Sequence, residues 1–414
     1  MSRRSRRRRH AGLVSAAALL PGVLLAGPVP AAAERTTAAD GTTALPAVTQ
    51  KLPAGTTRCR GASGARLTGV PWAEEYLAVR ALTARHDGQG QTIGLVDTGV
   101  DLSGVPALAG RVRSLPPVYT RPVAAPDCVG HGTAMASLLL ATGTGESGES
   151  GVHGLAPAAE IVSVDATDVL GNTDAEHLAR AITALVAQRV GVIAVGTATV
   201  TRSAALDAAL AEARRRDVLV VAPARFDAQT EAARVQPAAS TGVLAVGDVG
   251  PGGAPPESVP AGAVVALAAP GDRVAGLGTG GRGEVTGSGP SYAVAYVAAA
   301  AALVRGAHPG LTAAQTADRL LRTATPPSAG AVPDPQLGYG VLDPAAAVDT
   351  VFDSPGAGPT AGGGHRAAAA IAGRPPHDDG VSTALVVGAG AVTVLVLAAG
   401  AGSAVGARRR RLAP

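Results

Sequence analysis

Three short motifs carry an acid, a histidine and a serine, each on a glycine-flanked turn beside a predicted helix or strand. Asp97 opens a DTG turn after an apolar run, His131 lies in a GHGT turn, and Ser291 lies in the sequence GPSYA. A serine hydroxyl is a poor nucleophile unless a base takes its proton and a third group orients that base. The three motifs therefore predict a nucleophilic hydrolase with Ser291 as nucleophile, His131 as general base and Asp97 as the orienting acid.

Each motif also has a second interpretation. The sequence DTG is found in ordinary Asp turns and in aspartic proteases. An aspartic protease needs a second such carboxylate in a β-rich fold, and the sequence has no second copy of the motif. His131 is the only one of the eight histidines in a GHGT setting ahead of an apolar helix. Ser291 by itself would most often be a helix N-cap, and Ser288 is a neighbouring competitor for the nucleophile.

Further motifs extend the match: GLAP at 154–157, APG at 269–271 and GYGVLDP at 338–344. With the chain order Asp, His, Ser, they show that residues 71 to about 349 resemble subtilisin-like serine proteases of the mycosin group, the membrane-anchored subtilases of actinobacterial type VII secretion systems. The resemblance implies protein or peptide substrates, type VII secretion membrane components as partners, and no cofactor. In the family register GTSxAxP, the sequence GPSYAVA places the nucleophile at Ser291.

The same register exposes departures from the family. Pro290 replaces the Thr before the nucleophile, and Ala295 replaces a helix Pro. The oxyanion-hole asparagine, which subtilases carry after a buried strand, is missing from 223–227, and the only asparagine of the chain is Asn172 in another loop. Arg225 is either a substitute donor or a solvated surface arginine. Two functions stay open: a working endopeptidase, or a low-activity pseudoprotease that serves as a scaffold of the secretion complex.

Short apolar runs alternate with helical patterns from Gln91 onward, which predicts an α/β fold of the subtilisin-like three-layer type with a mostly parallel central sheet. The predicted strands are Thr92–Val96, Glu160–Val164, Val190–Val195, Val218–Ala222, Val243–Val246 and Val264–Ala268. The predicted helices are His131–Thr142, Asp174–Gln188, Ser203–Arg216, Ser291–Arg305 and Thr312–Thr323.

Both chain ends have the composition of targeting segments. Six arginines precede an apolar stretch and the small residues Ala31 to Ala33, which predicts a signal peptide over 1–33; the sequence leaves Sec and Tat export open. Residues 381–407 contain no charged side chain, a length that exceeds the ~20 residues needed to span a bilayer, and four arginines follow. This pattern predicts a single transmembrane helix with a cytoplasmic tail over 408–414 and the protease domain outside.

Between these ends the sequence predicts an extended N-terminal segment over 34–70, a peptidase domain over 71–352 and a Pro/Gly-rich linker over 353–380. The resemblance implies that the N-terminal segment wraps the protease domain and is not a removable inhibitory propeptide. Cys59 and Cys128 are the only cysteines, and an exported chain favours a disulfide between them. The alternative is two unpaired buried thiols.

The sequence pI near 9.5 comes from the tails. Ten of the 35 Lys and Arg residues are tail arginines, so 25 remain against 31 Asp and Glu, and the rest of the chain has a net charge of −6. Nucleic acid is therefore not expected as a partner. Asp127, Asp165, Asp168 and Asp174 lack the close loop spacing of a calcium site, so no metal is expected.

Overall fold

A seven-stranded parallel sheet forms the centre of the protein in the computed structural model, which describes residues 45–119, 125–143, 151–227, 234–257, 263–281, 283–328 and 330–352. The described strands are β1 (Ala47–Val48), β2 (Thr92–Asp97), β3 (Val112–Ser114), β4 (Glu160–Asp165), β5 (Val192–Val195), β6 (Leu219–Pro223), β7 (Val243–Val249), β8 (Leu267–Pro270), β9 (Val274–Leu277) and β10 (Glu284–Gly287).

The order of strands in the large sheet is β3-β4-β2-β5-β6-β7-β8, and every neighbouring pair is parallel. Strands β5 to β8 are buried along their whole length. Such strands are rich in Val, Ile, Leu and Ala without alternation, because both faces of a parallel sheet are covered. The six predicted strands are confirmed, with bounds that move by one to three residues.

Helices cover both faces of the sheet. They are α1 (Trp72–Tyr76), α2 (Val79–Thr83), α3 (His131–Leu140), α4 (Ala175–Ala187), α5 (Ala204–Arg215), α6 (Pro290–Ala307), α7 (Ala313–Thr323) and α8 (Pro344–Asp349). Helices α3 and α6 belong to one apolar core, and α4 and α5 belong to a second core on the other face. The predicted three-layer α/β arrangement is therefore confirmed.

Helix α6 positions the serine motif at the centre of the sheet. It contacts β5, β6, β7 and β8, and its residues from Pro290 to Val304 are all buried. The run Ala298–Ala302 gives this part of the helix small side chains on every side. A helix that is apolar all round and sits in the middle of the chain is a core helix of a large domain.

The caps explain small differences at helix ends. Asp174, Ser203 and Thr312 were predicted as first helical residues, but each is an N-cap whose side chain accepts a hydrogen bond from the backbone N–H three residues later. This is the preferred role of Asp, Ser and Thr at such positions. Helix α3 ends at Leu140 instead of Thr142 because Ala141 is extended.

A second sheet contains β1, β10 and β9, in that order. Strands β9 and β10 are antiparallel, and β1 of the N-terminal segment pairs with β10 in parallel. The sequence did not predict these strands, since two to four residues are too few for a clear periodic pattern.

The predicted signal peptide (1–33), linker and transmembrane helix (381–407) lie outside the described residues. Within the described ranges, no helix is long and apolar enough to cross a membrane.

Candidate active site

The fold brings Asp97, His131 and Ser291 together from three separate elements. Asp97 is the last residue of β2, His131 the first of α3 and Ser291 the second of α6. Nδ1 of His131 lies 2.8 Å from Oδ1 of Asp97, and Nε2 lies 2.9 Å from Oγ of Ser291. Both nitrogens of one imidazole thus bridge the acid and the hydroxyl. This is the geometry that a base-activated serine needs.

All three side chains are withdrawn from solvent: Ser291 and His131 are 0% exposed and Asp97 is 1% exposed. Burial lowers the pKa of His131, but the charge of Asp97 and the hydrogen bonds to Asp227 and Asp97 outweigh it and raise that pKa to about 10. At neutral pH the imidazole is therefore protonated in this arrangement. A general base has to be neutral before it accepts a proton.

Asp127 joins the acid turn to the histidine turn. Its carboxylate accepts hydrogen bonds from Oγ1 of Thr98 at 2.8 Å, from the backbone N–H of Gly130 at 2.7 Å, and from both N–H and Oγ1 of Thr133 at 2.8 and 2.7 Å. A further bond comes from the N–H of Val129. Asp127 is thus a buried acceptor for the groups that place His131 on α3. From the sequence, Asp127 was considered only as one of four acids without the spacing of a calcium site.

Asp227 is a site residue that no sequence motif indicated. It follows β6, in the segment where the oxyanion asparagine was sought. Its Oδ1 accepts the backbone N–H of Ser291 at 3.0 Å, and its Oδ2 accepts the Oγ–H of Ser291 at 2.6 Å. Oδ2 also lies 3.7 Å from Nε2 of His131. Its position after a buried strand could have indicated it, because Asp has nearly the shape of Asn. The two side chains differ only in that Asp has a carboxylate oxygen where Asn has an amide nitrogen.

Gly289 makes room for this contact. Its φ is +140°, and a Cβ at this position would lie 2.3 Å from Oδ1 of Asp227. The N-cap of α6 therefore needs glycine for two reasons, the left-handed backbone and the close carboxylate.

Ser288, Asn172 and Arg225, which the sequence left open as site residues, each bond other groups of the protein. Oγ of Ser288 accepts the N–H of Arg273, so Ser288 has a separate structural contact. Asn172 is exposed and donates to Asp168 in its own loop. Arg225 is 7% exposed and pairs with the carboxylate of Asp248. The interpretation of Arg225 as a solvated surface side chain is wrong, because the buried Asp248 holds its guanidinium.

The four acids that were considered as metal ligands each accept a hydrogen bond from the protein. Asp127 holds the histidine turn, Asp165 accepts from Thr167, Asp168 accepts from its own loop, and Asp174 caps α4. The described part of the chain contains no group of three or more His, Cys, Asp or Glu residues that fits a metal ion.

The N-terminal segment is tied to the histidine turn. Cys59 and Cys128 form a disulfide. Cys128 lies three residues before His131. Beside it, the N–H of Arg60 donates to the carbonyl of Cys128, and Nε of Arg60 donates to the carbonyl of Val129. The covalent link and the two hydrogen bonds hold this end of the segment on the protease domain.

Residues 45–52, called the arm below, contact residues that neighbour the three catalytic-type side chains. The backbone carbonyl of Val48 accepts a hydrogen bond from the hydroxyl of Tyr292. The ring of Tyr292 packs on the ring of His131, with centroids 4.8 Å apart. The buried side chain of Gln50 donates to the carbonyl of Gly196 at 2.6 Å. The N–H of Leu52 donates to the carbonyl of Leu170.

Close packing supports the same placement. A Cβ at Gly171, whose φ is +88°, would lie 2.4 Å from the carbonyl oxygen of Gln50. The arm thus joins the loop at 170–171 to the end of β5 and satisfies backbone groups on both. An extended peptide that pairs with these edges has to displace the arm first.

A Gln50→Ala substitution is therefore expected to increase the rate at which a fluorophosphonate probe labels Ser291, by about 5-fold. The expected change corresponds to loss of one net hydrogen bond of about 1 kcal/mol from the closed arm. Thr49→Ala is the matched control, because Thr49 is exposed and bonds only within the arm. Equal labelling rates for the two variants would mean that the arm does not limit access.

The sequence is similar to proteins of known family. The family model described as the subtilase family matches residues 88–340. Mycosin-1 of Mycobacterium tuberculosis is 30% identical over 338 residues, which cover 67% of this chain and 73% of the relative.

Solved structures give the same neighbours. The crystal structure of MycP1 from Mycobacterium smegmatis aligns with a TM-score of 0.58 and 26% identity, over 75% of this chain and 90% of that chain. A chain of an intact ESX-5 inner membrane complex aligns with a TM-score of 0.61 and 25% identity, over 87% of this chain and 96% of that chain.

Proposed function

Since this chain is a mycosin, a member of the subtilase family of serine proteases, we propose that it is an exported, membrane-anchored endopeptidase that works beside a type VII secretion complex. Its substrates are proteins or peptides outside the membrane. The observation that carries this proposal is the pair of contacts of His131, 2.8 Å to Asp97 and 2.9 Å to Ser291.

The roles follow from that geometry. Oγ of Ser291 attacks the carbonyl carbon of the scissile bond as neutral His131 takes its proton, and the resulting imidazolium later gives the proton to the leaving amine. Asp97 holds Nδ1 and stabilises the imidazolium. Water then hydrolyses the acyl-enzyme with His131 again as base. All of these steps use side chains of this chain.

The membrane location rests on the sequence. A signal peptide over 1–33 and an uncharged span over 381–407 with arginines after it orient the protease domain outward. Relatives are found in the structure of an ESX-5 inner membrane complex, which supports type VII secretion components as partners. The 34–70, 71–352 and 353–380 boundaries belong to the same proposal.

A second candidate function is a scaffold with low activity. The carboxylate of Asp227 favours it, because Oδ1 and Oδ2 are bonded to N and Oγ of Ser291, where an active subtilase offers hydrogen-bond donors. The two functions are compatible in one complex, and they differ in whether Ser291 reacts.

The test is fluorophosphonate labelling of membranes from cells that express the full chain, with Ser291→Ala and a deletion of 381–414 in parallel. We expect a labelled band in the wild-type membrane fraction, no band for Ser291→Ala, and a labelled band in the soluble fraction for the deletion. A folded wild type without label would favour the scaffold. Label that stays with membranes after the deletion would contradict the anchor.

A further inference from the structure

Asp227 contacts both the hydroxyl of Ser291 and the backbone N–H of the same residue. Its Oδ2 accepts the Oγ–H of Ser291 at 2.6 Å, and its Oδ1 accepts the N–H that begins α6 at 3.0 Å. That N–H belongs to the N-terminus of a helix, where anionic groups are stabilised. An oxyanion that forms beside Ser291 would have to occupy this same place.

An ionised carboxylate in this place opposes catalysis. The carbonyl oxygen of the substrate gains negative charge as Ser291 attacks, and donors aimed at it are worth several kcal/mol. A carboxylate offers only acceptors and would repel the developing charge. A protonated Asp227 offers one O–H donor in the same place.

The proton for Asp227 is available within the site. Ser291 has one hydroxyl proton, and the geometry directs it to Oδ2 of Asp227, so the contact between Nε2 of His131 and Oγ has Nε2 as its donor. The chain of contacts is Nε2 to Oγ at 2.9 Å and Oγ to Oδ2 at 2.6 Å. A proton that passes from Nε2 to Oγ while another passes from Oγ to Oδ2 leaves neutral His131, intact Ser291 and protonated Asp227.

We propose that Asp227 is a further catalytic residue, which takes a proton from His131 through Ser291 and then donates a hydrogen bond to the carbonyl oxygen of the scissile bond. The inference rests on the proposed protease function and deepens it. The transfer conserves charge and protons, since one imidazolium and one carboxylate become one imidazole and one carboxylic acid.

The charges around the site fit a shared proton. His131 faces Asp97 on one nitrogen and Asp227 near the other, and both carboxylates raise its pKa. Arg225 lies two residues before Asp227 in the chain, but its guanidinium pairs with Asp248 and donates to the backbone carbonyls of Phe226 and Asp227.

Further charged residues and one phenol lie around the site. Burial raises the pKa of Asp248 to about 6, Arg225 lowers it in part, and Asp227 and Asp272 raise it. The pKa of the buried Tyr292 is raised far above its ordinary value, first by burial and then by Asp227 and Asp97, so Tyr292 stays neutral. Lys51 lies over the ring of Phe226. The carboxylate of Asp248 and the ring of Phe226 thus hold the two cations named here, Arg225 and Lys51.

The test compares Asp227→Asn with Asp227→Ala in the full chain, with Ser291→Ala as background. Both changes remove the negative charge beside His131, but only asparagine keeps a donor for the oxyanion. We expect Asp227→Asn to exceed Asp227→Ala in kcat/KM by ~10²–10³-fold at the pH plateau, the range for one oxyanion donor. It should also exceed the wild type at pH 7, because a permanent donor needs no proton transfer.

The pH profile provides a second readout. For the wild type, activity should fall as the pH rises through the His131 pKa of about 10, because loss of the shared proton leaves Asp227 without an O–H to donate. In both variants activity should instead rise with pH, because their His131 becomes neutral only by losing its proton to solvent. A structural role of Asp227 would change thermal stability without separating asparagine from alanine in kcat/KM.

The outcomes separate the two proposals. A wild type that is labelled, with Asp227→Asn no faster than Asp227→Ala, would overturn the role of Asp227 and leave the protease function standing. A folded Asp227→Asn that loses the wild-type activity would also overturn it, and would point to Asp227 as the base itself. No reaction of any folded form with probe or peptide would overturn both.

Discussion

A His131→Ala variant is expected to lose about 10⁶-fold in kcat, the order found when the base of a serine triad is removed. The reason is that no other described histidine reaches Ser291, and the serine proton then has no neutral acceptor. Activity toward a peptide substrate and the labelling rate of Ser291 are the measurements. Where the wild-type rate is already low, the loss ends at the uncatalysed background.

The matched control is His86→Ala. His86 is a partly exposed histidine that bonds the carboxylate of Asp349 at the surface, and its loss should leave kcat unchanged. Equal losses in the two variants would mean that the effect is not specific to the site. A His131→Ala enzyme with near wild-type rates would contradict its role as base.

His131 also links stability to pH. Its pKa in the folded protein is about 10, against an ordinary value of 6.5, so proton binding favours the folded state. This contribution is complete below pH 6.5 and is lost as the pH rises toward 10. Thermal unfolding of the wild type and of His131→Ala between pH 6 and 10 should therefore converge at the alkaline end.

An Asp127→Ala variant is expected to lower the free energy of unfolding by about 3–5 kcal/mol. The carboxylate is fully buried and accepts five hydrogen bonds. Its removal leaves buried donors without an acceptor, at a cost of about 1–3 kcal/mol for each group that finds no other partner. Denaturant unfolding measures the change, and the melting temperature should fall by several degrees.

Two further variants sharpen this prediction. Asp127→Asn keeps one oxygen and the shape of the side chain, so it should fall between the wild type and alanine. Asp168→Ala removes a loop acid that also accepts several hydrogen bonds but is partly exposed, and it should cost about 1 kcal/mol or less, because water replaces the lost contacts. A cost for Asp127→Ala as small as that of Asp168→Ala would contradict the proposed link between the acid turn and the histidine turn.

Local pattern was sufficient for most of the fold. The runs Thr92–Val96 and Val218–Ala222 predict buried strands because β-branched and apolar residues without alternation fit a sheet covered on both faces. The caps Asp174, Ser203 and Thr312 mark helix starts to within one residue. The three turns that carry Asp97, His131 and Ser291 each lie where a regular element begins or ends, so their place in the fold follows from the same pattern.

The short strands escaped prediction for a physical reason. Strands β1, β9 and β10 have two to four residues each, and their pairing comes from contacts far apart in the chain. Ala47 pairs with Thr286, a contact that no local propensity specifies. The burial of Arg225 is a similar case, because it depends on an ion pair with Asp248 in β7.

The sequence by itself determined which residues the proposed chemistry uses, Asp97, His131 and Ser291, and which segments are buried strands and helices. Each of these depends on the residue types next to one another in the chain. Only the tertiary structure decided that Asp227 contacts Ser291 and that Gln50 of the arm bonds the carbonyl of Gly196. Both are contacts between loops distant in sequence, and their energies come from side chains whose partners are chosen by packing.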